Sequence, residues 1–575
     1  MKILLVAVNA KYIHSNLGIY SLASYARTAG VEVSYCEYTI NQRLDYIVEE
    51  IYRQKADLIC FSCYIWNIDL ICEVMREYHK LKPRTVLWAG GPEVSFETEL
   101  FLKEHEMVKG VMVNEGEETF LELCRCYEKD PNPSDKALSG INGIIFHSEK
   151  GICMTAQRSP MDMDNLVFCY SDMESLEHRI VYYETSRGCP FSCSYCLSSI
   201  EKTMRFRSLN LVFRELDFFL EKKVPQVKFI DRTFNCDPRR AYEIWKYLLE
   251  HDNGITNFHF EIAADLLEDS AVALMEKMRP GLIQLEIGIQ TTNDATIHAI
   301  RRRMDLQKVC RAIKKVKATQ KVHQHVDLIA GLPQEGFVRF GQSFDEVYRL
   351  YAQQLQLGFL KVLKGSYMYE MRDQYQLTYH ERSPYEIWAT KWLSYEEVLV
   401  LHDIEELLEV YYNSGQFVKS VRLLERYYES PFEMYRQMGV YYRERDYFAI
   451  KHNRLERFRI LLDFFVELHK PSGEEQSCFK EALTWDCYTK ENLKKRPEWL
   501  GNISVDKKTQ LQYLKEEHLE NKYVNILYFK YDWLNWTEDQ PFPKRQLYYK
   551  GMLFDYQNRD VLTAEATVTE TSLQI

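Results

Sequence analysis

The chain has 575 residues, too many for one hydrophobic core, and its 46% apolar and 27% charged residues are those of a globular protein in several domains. A formal net charge of −11 speaks against a nucleic-acid-binding role, which calls for a basic excess. No run reaches the roughly 18 apolar residues of a membrane span, and 15 scattered cysteines, an odd number, suit reduced thiols in a cytoplasm better than a secreted disulfide framework.

The opening MKILLVAVNAKYIHS is apolar over too short a stretch for a signal peptide and reads as a first strand. Residues 1–128 then alternate strand-like runs (KILLVAVN, EVSYCEYT, ADLICFSCYI, TVLWAGGPEV, MVKGVMVN) with helical spacing. Five such units predict a doubly wound, flavodoxin-like parallel sheet, whose ligands bind beyond the carboxyl ends of the strands. NAKYIHSNLG, SCYIWN, GGPEVS and NEGEETF fall at those ends. Residues 129–179, with the polar EKDPNPSDK, read as a connector containing one small strand, GINGIIF.

A second alternating region spans 180–367. Its strands are IVYYE, QVKFI, NFHFEIA, LIQLEIGIQ, VHQHVDLIAG and LQLGFLKVLKG. Six βα units at this spacing predict a barrel-like parallel sheet short of the eight units of a full barrel. Residues 368–575 turn mainly helical: SYEEVLVLHDIEELLEVYYNSG has i, i+3, i+4 apolar spacing and closes at Gly415, a C-cap residue. Near the end, QLYYKGMLFDYQNRDVLTAEATV reads as two strands around an NRD turn.

Directly after the first strand of the second region lies YYETSRGCPFSCSYCLSS, with Cys189, Cys193 and Cys196 in C-x3-C-x2-C spacing. Thiolates suit soft metals and hold iron–sulfur cubanes. Three ligands leave one iron open, as a reactive cluster needs. Zinc would want a fourth ligand; no cysteine or histidine lies close by in sequence, and Cys236 is the one that could approach in space. Cys60, Cys63, Cys72 and Cys310 read as core; Cys124 and Cys126 point to different helix faces; Cys478 and Cys487 lack partners for a second cluster.

RGCPFSCSYC, including the aromatic Tyr195 before the last cysteine, resembles the cluster loop of the radical S-adenosylmethionine superfamily. That resemblance implies a partial (β/α)6 barrel, a 4Fe-4S cluster on the three cysteines, and S-adenosylmethionine chelated to the open iron. It also implies an electron donor such as flavodoxin or ferredoxin, and reductive cleavage to a 5′-deoxyadenosyl radical. LEIGIQTTND resembles the fourth barrel strand and HVDLIAGLPQE the end of the fifth. On these matches Tyr195, Asp231, Glu286, Gln290 and Asp327 are candidates for the S-adenosylmethionine side, with Asn235 beside Asp231 at the mouth. The stretch FIDRTFN stands where many relatives carry a glycine-rich segment before Glu-Pro, so the amine-binding residues stay open. Each of these polar residues equally suits a strand-end cap or an ion pair.

The first region resembles the cobalamin-binding domains that precede radical barrels, with Ser62, Gly90, Gly91 and Glu115 as the candidate cobalamin contacts. His14 departs from the D-x-H-x-x-G pattern of cobalt-ligating domains. Tyr12 stands at the aspartate position, and three residues, not two, separate His14 from Gly18. Without an orienting acceptor in the motif, His14 is expected to be a loop histidine. YYNSGQF and LQLGFLKVLKGS resemble a carboxy-terminal domain of unknown function found after such cores. The architecture implies cobalamin-dependent methyl transfer. Radical rearrangement or oxidation is the alternative, and a non-catalytic cobalamin- or redox-responsive regulator a third reading that the open-iron motif disfavours. Anaerobically prepared protein is expected to hold about four irons, as a cubane does. Replacing Cys189, Cys193 and Cys196 together by alanine should abolish iron binding and 5′-deoxyadenosine formation; nucleoside formation by the triple variant would sink the cluster assignment.

Overall fold

The computed structural model describes residues 1–171, 173, 176–500, 507–537 and 539–574. The five strands expected in the first region form as Ile3–Asn9, Val33–Thr39, Leu58–Ser62, Val86–Gly90 and Val108–Met112, all parallel. Ile3–Asn9 is buried along its whole length, as a strand covered on both faces must be. Helices Leu17–Thr28 and Glu117–Lys129 pack on one face of the sheet. Helices Leu44–Gln54 and Ile68–Leu81 pack on the other. The connector assignment needs correcting: Ile144–Ser148 and Gly151–Met154 pair antiparallel at the far edge, giving seven strands in the order 2-1-3-4-5-6-7. GINGIIF supplies the first of these added strands, and the linking chain begins only after Met154. The order reverses between strands 1 and 3, so residues 10–16 and 63–67 bracket the switch point.

The second region is a six-stranded parallel sheet of Val181–Tyr183, Gln226–Phe229, Asn257–Ile262, Ile283–Gln290, His323–Ala330 and Gln354–Phe359, side by side in chain order. This is the incomplete barrel. Alternation along the strands sends Val227, Phe229, Phe258 and Phe260 outward into the helix layer and leaves Lys228, His259 and Glu261 on the inner wall.

The third region is helical, with Tyr395–Leu408, Pro431–Glu444, Arg454–His469 and Gly473–Lys490 as its longer helices. Ser394 and Glu397 form a capping box at the start of the first. That helix widens over Glu409–Asn413 and ends at Gly415, whose φ of 61° only glycine adopts freely. The two expected terminal strands form as Arg545–Arg559 and Ala566–Gln574, and Val524–Tyr531, which the sequence pattern did not single out, completes a three-stranded antiparallel sheet. One continuous apolar core runs through all three regions. Phe344 of barrel helix Phe337–Tyr348 meets Phe432 of Pro431–Glu444 at 5.6 Å between ring centroids.

The carboxyl ends of the first sheet face the barrel. His14 forms a parallel bridge to Ile180, and the Ser15 hydroxyl donates to the Ile180 carbonyl at 2.7 Å. Glu117 pairs with Arg187 at 2.7 Å, and Glu115 pairs with Arg205. On the opposite rim the Tyr369 hydroxyl donates to Glu97 at 2.7 Å and Tyr385 donates to Glu93.

The strand-to-helix passage after the cysteine loop rests on a buried ion pair, Arg207 with Glu215, which also accepts from the Tyr183 hydroxyl at 2.5 Å. With both side chains at 5% exposure or less, removing one partner strands a buried charge. Arg207→Met is expected to cost about 3–5 kcal/mol, read as a lower midpoint in thermal unfolding, and Arg207→Met with Glu215→Leu to recover most of it. A single variant as stable as the parent would show the pair to be dispensable.

Candidate active site

The cysteine loop leaves the first barrel strand through Thr185 and Ser186. Asp231, at the end of the second strand, fixes both: its carboxylate accepts from the Thr185 amide at 3.0 Å, the Thr185 hydroxyl at 2.7 Å and the Ser186 hydroxyl at 2.5 Å. Burial raises this carboxyl to about 6, against the pull of those donors. Asp231 thus holds the root of the loop, with both oxygens engaged. Asn235 likewise spends its amide on Ala263, at 2.9 Å in each direction.

Gly188 turns the chain into the loop with φ 92°, where a Cβ would meet the Thr203 carbonyl oxygen at 2.4 Å. Cys189 and Cys193 are buried and Cys196 half-buried. The Ser199 hydroxyl donates to the carbonyls of Cys193 and Cys196, at 2.9 and 2.7 Å. The Ser194 amide donates to Ile300, and the Ser194 carbonyl accepts from the Met368 amide. A single tetrahedral zinc would draw its sulfurs to about 3.8 Å of one another. Here at least one pair among the three cysteine sulfurs is farther apart than 4.8 Å. Cys236 lies near Cys189 without closing such a set. The donor set fits a cluster wider than one ion.

Tyr195 points its hydroxyl at Arg302 (3.1 Å), whose guanidinium also lies 3.7 Å from Cys193 Sγ and donates to the Gly288 carbonyl. Next to Gly288 the fourth strand carries a register irregularity, and Gln290 adopts a φ of 72°. Its amide oxygen is buried with no hydrogen-bond partner, an acceptor left for a ligand.

The inner wall of the barrel is charged. Glu286 receives the Lys228 ammonium and lies against His259 Nε2, each at 2.9 Å; the two partners outweigh burial and hold its carboxyl well below the usual range. His325 Nε2 lies 3.0 Å from Asp327, an ion contact. Burial, with His325 and His259 beside it, lowers His323 to about 4. Glu286, His325 and Asp327 bring their ligand atoms within 4.8 Å of one another. Because Lys228 already sits on Glu286, this trio reads as a charge-balanced polar wall. Glu261, largely buried beside Arg232 and Glu286, has no hydrogen bond or ion pair among the described residues; burial raises it to about 7.

At the switch point of the first sheet, Tyr64 and Trp66 stack at 4.4 Å and 8°. Tyr12, Ile13 and Trp66 stand exposed at 64%, 45% and 42%, so these loops offer a partly aromatic platform, with the Arg179 guanidinium 4.8 Å from the Tyr12 ring centre. His14 donates or accepts at the Tyr182 hydroxyl through Nδ1 at 2.6 Å. Ser62 and Gly90 end their strands at this face, and a Cβ on Gly90 would make only ordinary contacts at 3.5 Å. Gly91 has φ 114°, and its Cβ would meet the Cys63 carbonyl oxygen at 2.4 Å, so this glycine is required by the turn itself. Glu115 pairs with Arg205 and accepts from the Met161 amide (2.9 Å), a tie between the two domains. The platform fits a corrinoid; these four candidates contribute shape more than hydrogen bonds.

A radical SAM superfamily model matches residues 183–347, the barrel with all three cysteines. The barrel region is thus similar to radical SAM domains. A B12 binding domain model matches residues 3–124, and a model described as a protein of unknown function, DUF4080, matches residues 373–540. The cobalamin-dependent radical SAM methyltransferase TokK of Streptomyces tokunonensis is 25% identical over 297 residues, 49% of this chain and 43% of that protein. The anaerobic magnesium-protoporphyrin IX monomethyl ester cyclase of Rubrivivax gelatinosus is 21% identical over 345 residues, 57% and 60% of the two. The chain spans about half the length of the curated relatives it matches. Among solved structures, the cobalamin-dependent S-adenosylmethionine radical enzyme OxsB with aqua-cobalamin and S-adenosylmethionine bound shares this fold, with a TM-score of 0.59 and 14% identity over 84% of this chain and 78% of that one. The two domain models imply a 4Fe-4S cluster and S-adenosylmethionine for the barrel and cobalamin for the first sheet as cofactors.

Sequence reading missed Lys228, His259, Glu261 and Arg302. For His259 and Glu261 the signal was present: two polar residues at i and i+2 of NFHFEIA share the inner face of an otherwise apolar strand. In the chain freed of cofactors, the folded state binds the Glu261 proton more tightly than the unfolded chain, whose carboxyl titrates near 4.5. Stability is therefore lost as the pH rises from about 4.5 through 7. Glu261→Gln should remove that loss, a gain of up to about 3 kcal/mol at pH 8 and little at pH 4.5. Thermal unfolding at the two pH values checks this; an equal effect at both would refute it.

Proposed function

We propose that this chain is an enzyme that cleaves S-adenosylmethionine reductively and transfers a methyl group, by way of cobalamin, to a polar small molecule held in the half-barrel. The observation that carries the reading is the docking of a B12-type sheet, carboxyl ends first, onto the loop of Cys189, Cys193 and Cys196 through Arg187. When bound, the cluster supplies the electron that opens the sulfonium and the corrinoid carries the methyl group. The three cysteines hold the cluster. The S-adenosylmethionine side is assigned to Gln290, through its unpaired amide oxygen, and to Glu261. The aromatic platform with Ser62 and Gly90 takes the corrinoid.

The charged inner wall of Lys228, His259, Glu286, His325 and Asp327 suits a substrate rich in hydrogen-bonding groups and is costly to cover with an apolar one. Among the described residues no helix is long and apolar enough to cross a membrane. A cytoplasmic setting with a flavodoxin- or ferredoxin-type electron donor suits the reaction. TokK is named a methyltransferase and the Rubrivivax protein a cyclase. Oxidation or rearrangement without methyl transfer is therefore the competing reading.

The two readings differ in their by-products. With substrate and reductant, methyl transfer is expected to release S-adenosylhomocysteine and 5′-deoxyadenosine in about equal amounts. It should also move isotopic label from the methyl of S-adenosylmethionine into the product, followed by mass spectrometry. Product formed with deoxyadenosine but without label or S-adenosylhomocysteine would exclude methyl transfer and leave oxidation or rearrangement.

A further inference from the structure

Arg302 follows the short helix Asp294–Ala299 and is tied to it by its own amide, which donates to the Ile297 carbonyl at 3.1 Å. The same segment clamps the cysteine loop, since the Ile300 carbonyl accepts from the Ser194 amide at 2.9 Å. The side chain reaches inward with Nη1 at 3.1 Å from the Tyr195 hydroxyl and 3.7 Å from Cys193 Sγ, and with Nη2 on the Gly288 carbonyl. Its Nε is shut off from solvent with no hydrogen-bond partner. Among the described residues no Asp or Glu lies within ion-pair distance of it, in contrast to Arg187, Arg205 and Arg207, each of which has a carboxylate.

A guanidinium withdrawn from water and given no carboxylate is costly to bury unless another anion compensates it. The anion within reach is the set of thiolates. A cubane core with two positive charges bound by three thiolates is a net anion, and taking up one electron adds another negative charge. A fixed cation and hydrogen-bond donor beside one ligand sulfur favours the reduced, more negative form.

We infer that Arg302 is the counter-charge of the cluster, donating to the Cys193 thiolate and raising the reduction potential at which the site accepts its electron. This rests on the cluster reading of Cys189, Cys193 and Cys196. The electron comes from a reduced flavodoxin- or ferredoxin-type donor and no bond is made or broken at Arg302, which acts as a positioning residue. The fork geometry matters as well as the charge. Nη1 spans Cys193 and Tyr195 while Nη2 holds Gly288, and a lysine offers a point charge without that fork.

The test is an anaerobic redox titration of the reconstituted full-length protein, followed by electron paramagnetic resonance with no S-adenosylmethionine present. Arg302→Met should keep its iron and shift the midpoint to more negative potential, with Arg302→Lys falling between it and the parent. If Arg302→Met loses iron, Arg302→Gln, which keeps an NH2 donor without the charge, is titrated instead and should show the same negative shift. A variant without the charge that holds full iron and titrates with the parent would overturn the inference. Parent protein that binds no iron at all would overturn the cluster reading beneath it, a different and separately visible failure.

Discussion

The guanidinium of Arg187 joins the two halves of the site. It lies two residues before Cys189, on the stub that pairs Ser186–Arg187 antiparallel with Arg205–Phe206. Glu117 meets it at 2.7 Å, Glu184 at 2.9 Å and Glu115 at 3.5 Å. Two of these carboxylates come from the B12-type domain and one from the barrel. Burial pushes Glu117 up, and Arg187 more than reverses that, so the carboxyl titrates below its usual range. Contacts from both domains fix the direction in which the cysteine loop leaves its strand. Asp231 pins the root, Arg187 pulls the next residue toward the neighbouring domain, and Gly188 makes the turn between them.

From this junction the chemistry of the interior follows by strand alternation. Most outward residues of the six barrel strands are aromatic or aliphatic and vanish into the common core; Gln324 is the polar one, its amide donating to the Ile313 carbonyl at 3.1 Å. The inward ones carry charge, arranged so that nearly every carboxylate faces a cation: Glu286 with Lys228 and His259, Asp327 with His325. Glu261 is the exception. A wall of this kind is expensive to build unless it is used, because each group gives up water for a partner of about equal worth. The expense falls where the barrel lacks the last two of eight units and a ligand completes the surface.

Much of this was legible in the sequence. All eleven strands expected in the first two regions form where the apolar runs stand, because each places apolar residues on at least the face that enters the core. The cysteine spacing identified the cluster loop for a similar reason: its chemistry is local. What could not be read was which partner each polar residue had already taken. Asp231 and Glu115 look like free carboxylates in one dimension. In three, one is consumed 46 residues back at Thr185 and the other 90 residues on at Arg205. Arg302 sits in the run IRRRMD, where nothing distinguishes it from Arg301 and Arg303 until the chain folds. The three-stranded terminal sheet was seen only in part, since Val524–Tyr531 carries aromatics on both faces and shows no alternation.

The contacts between the first sheet and the barrel lie on several sides of the strand-end loops. Ile180 holds His14 and Ser15, Arg187 and Arg205 hold the Glu115–Glu117 turn, and Tyr369 and Tyr385 hold Glu97 and Glu93. They are made by segments far apart in sequence, so they close only once all three regions have folded. A flat molecule as large as a corrinoid does not slip past such a rim. It is taken up as the domains come together, or when one side of the rim lets go, and afterwards it stays. A planar group enclosed by that rim would be held for as long as these contacts last.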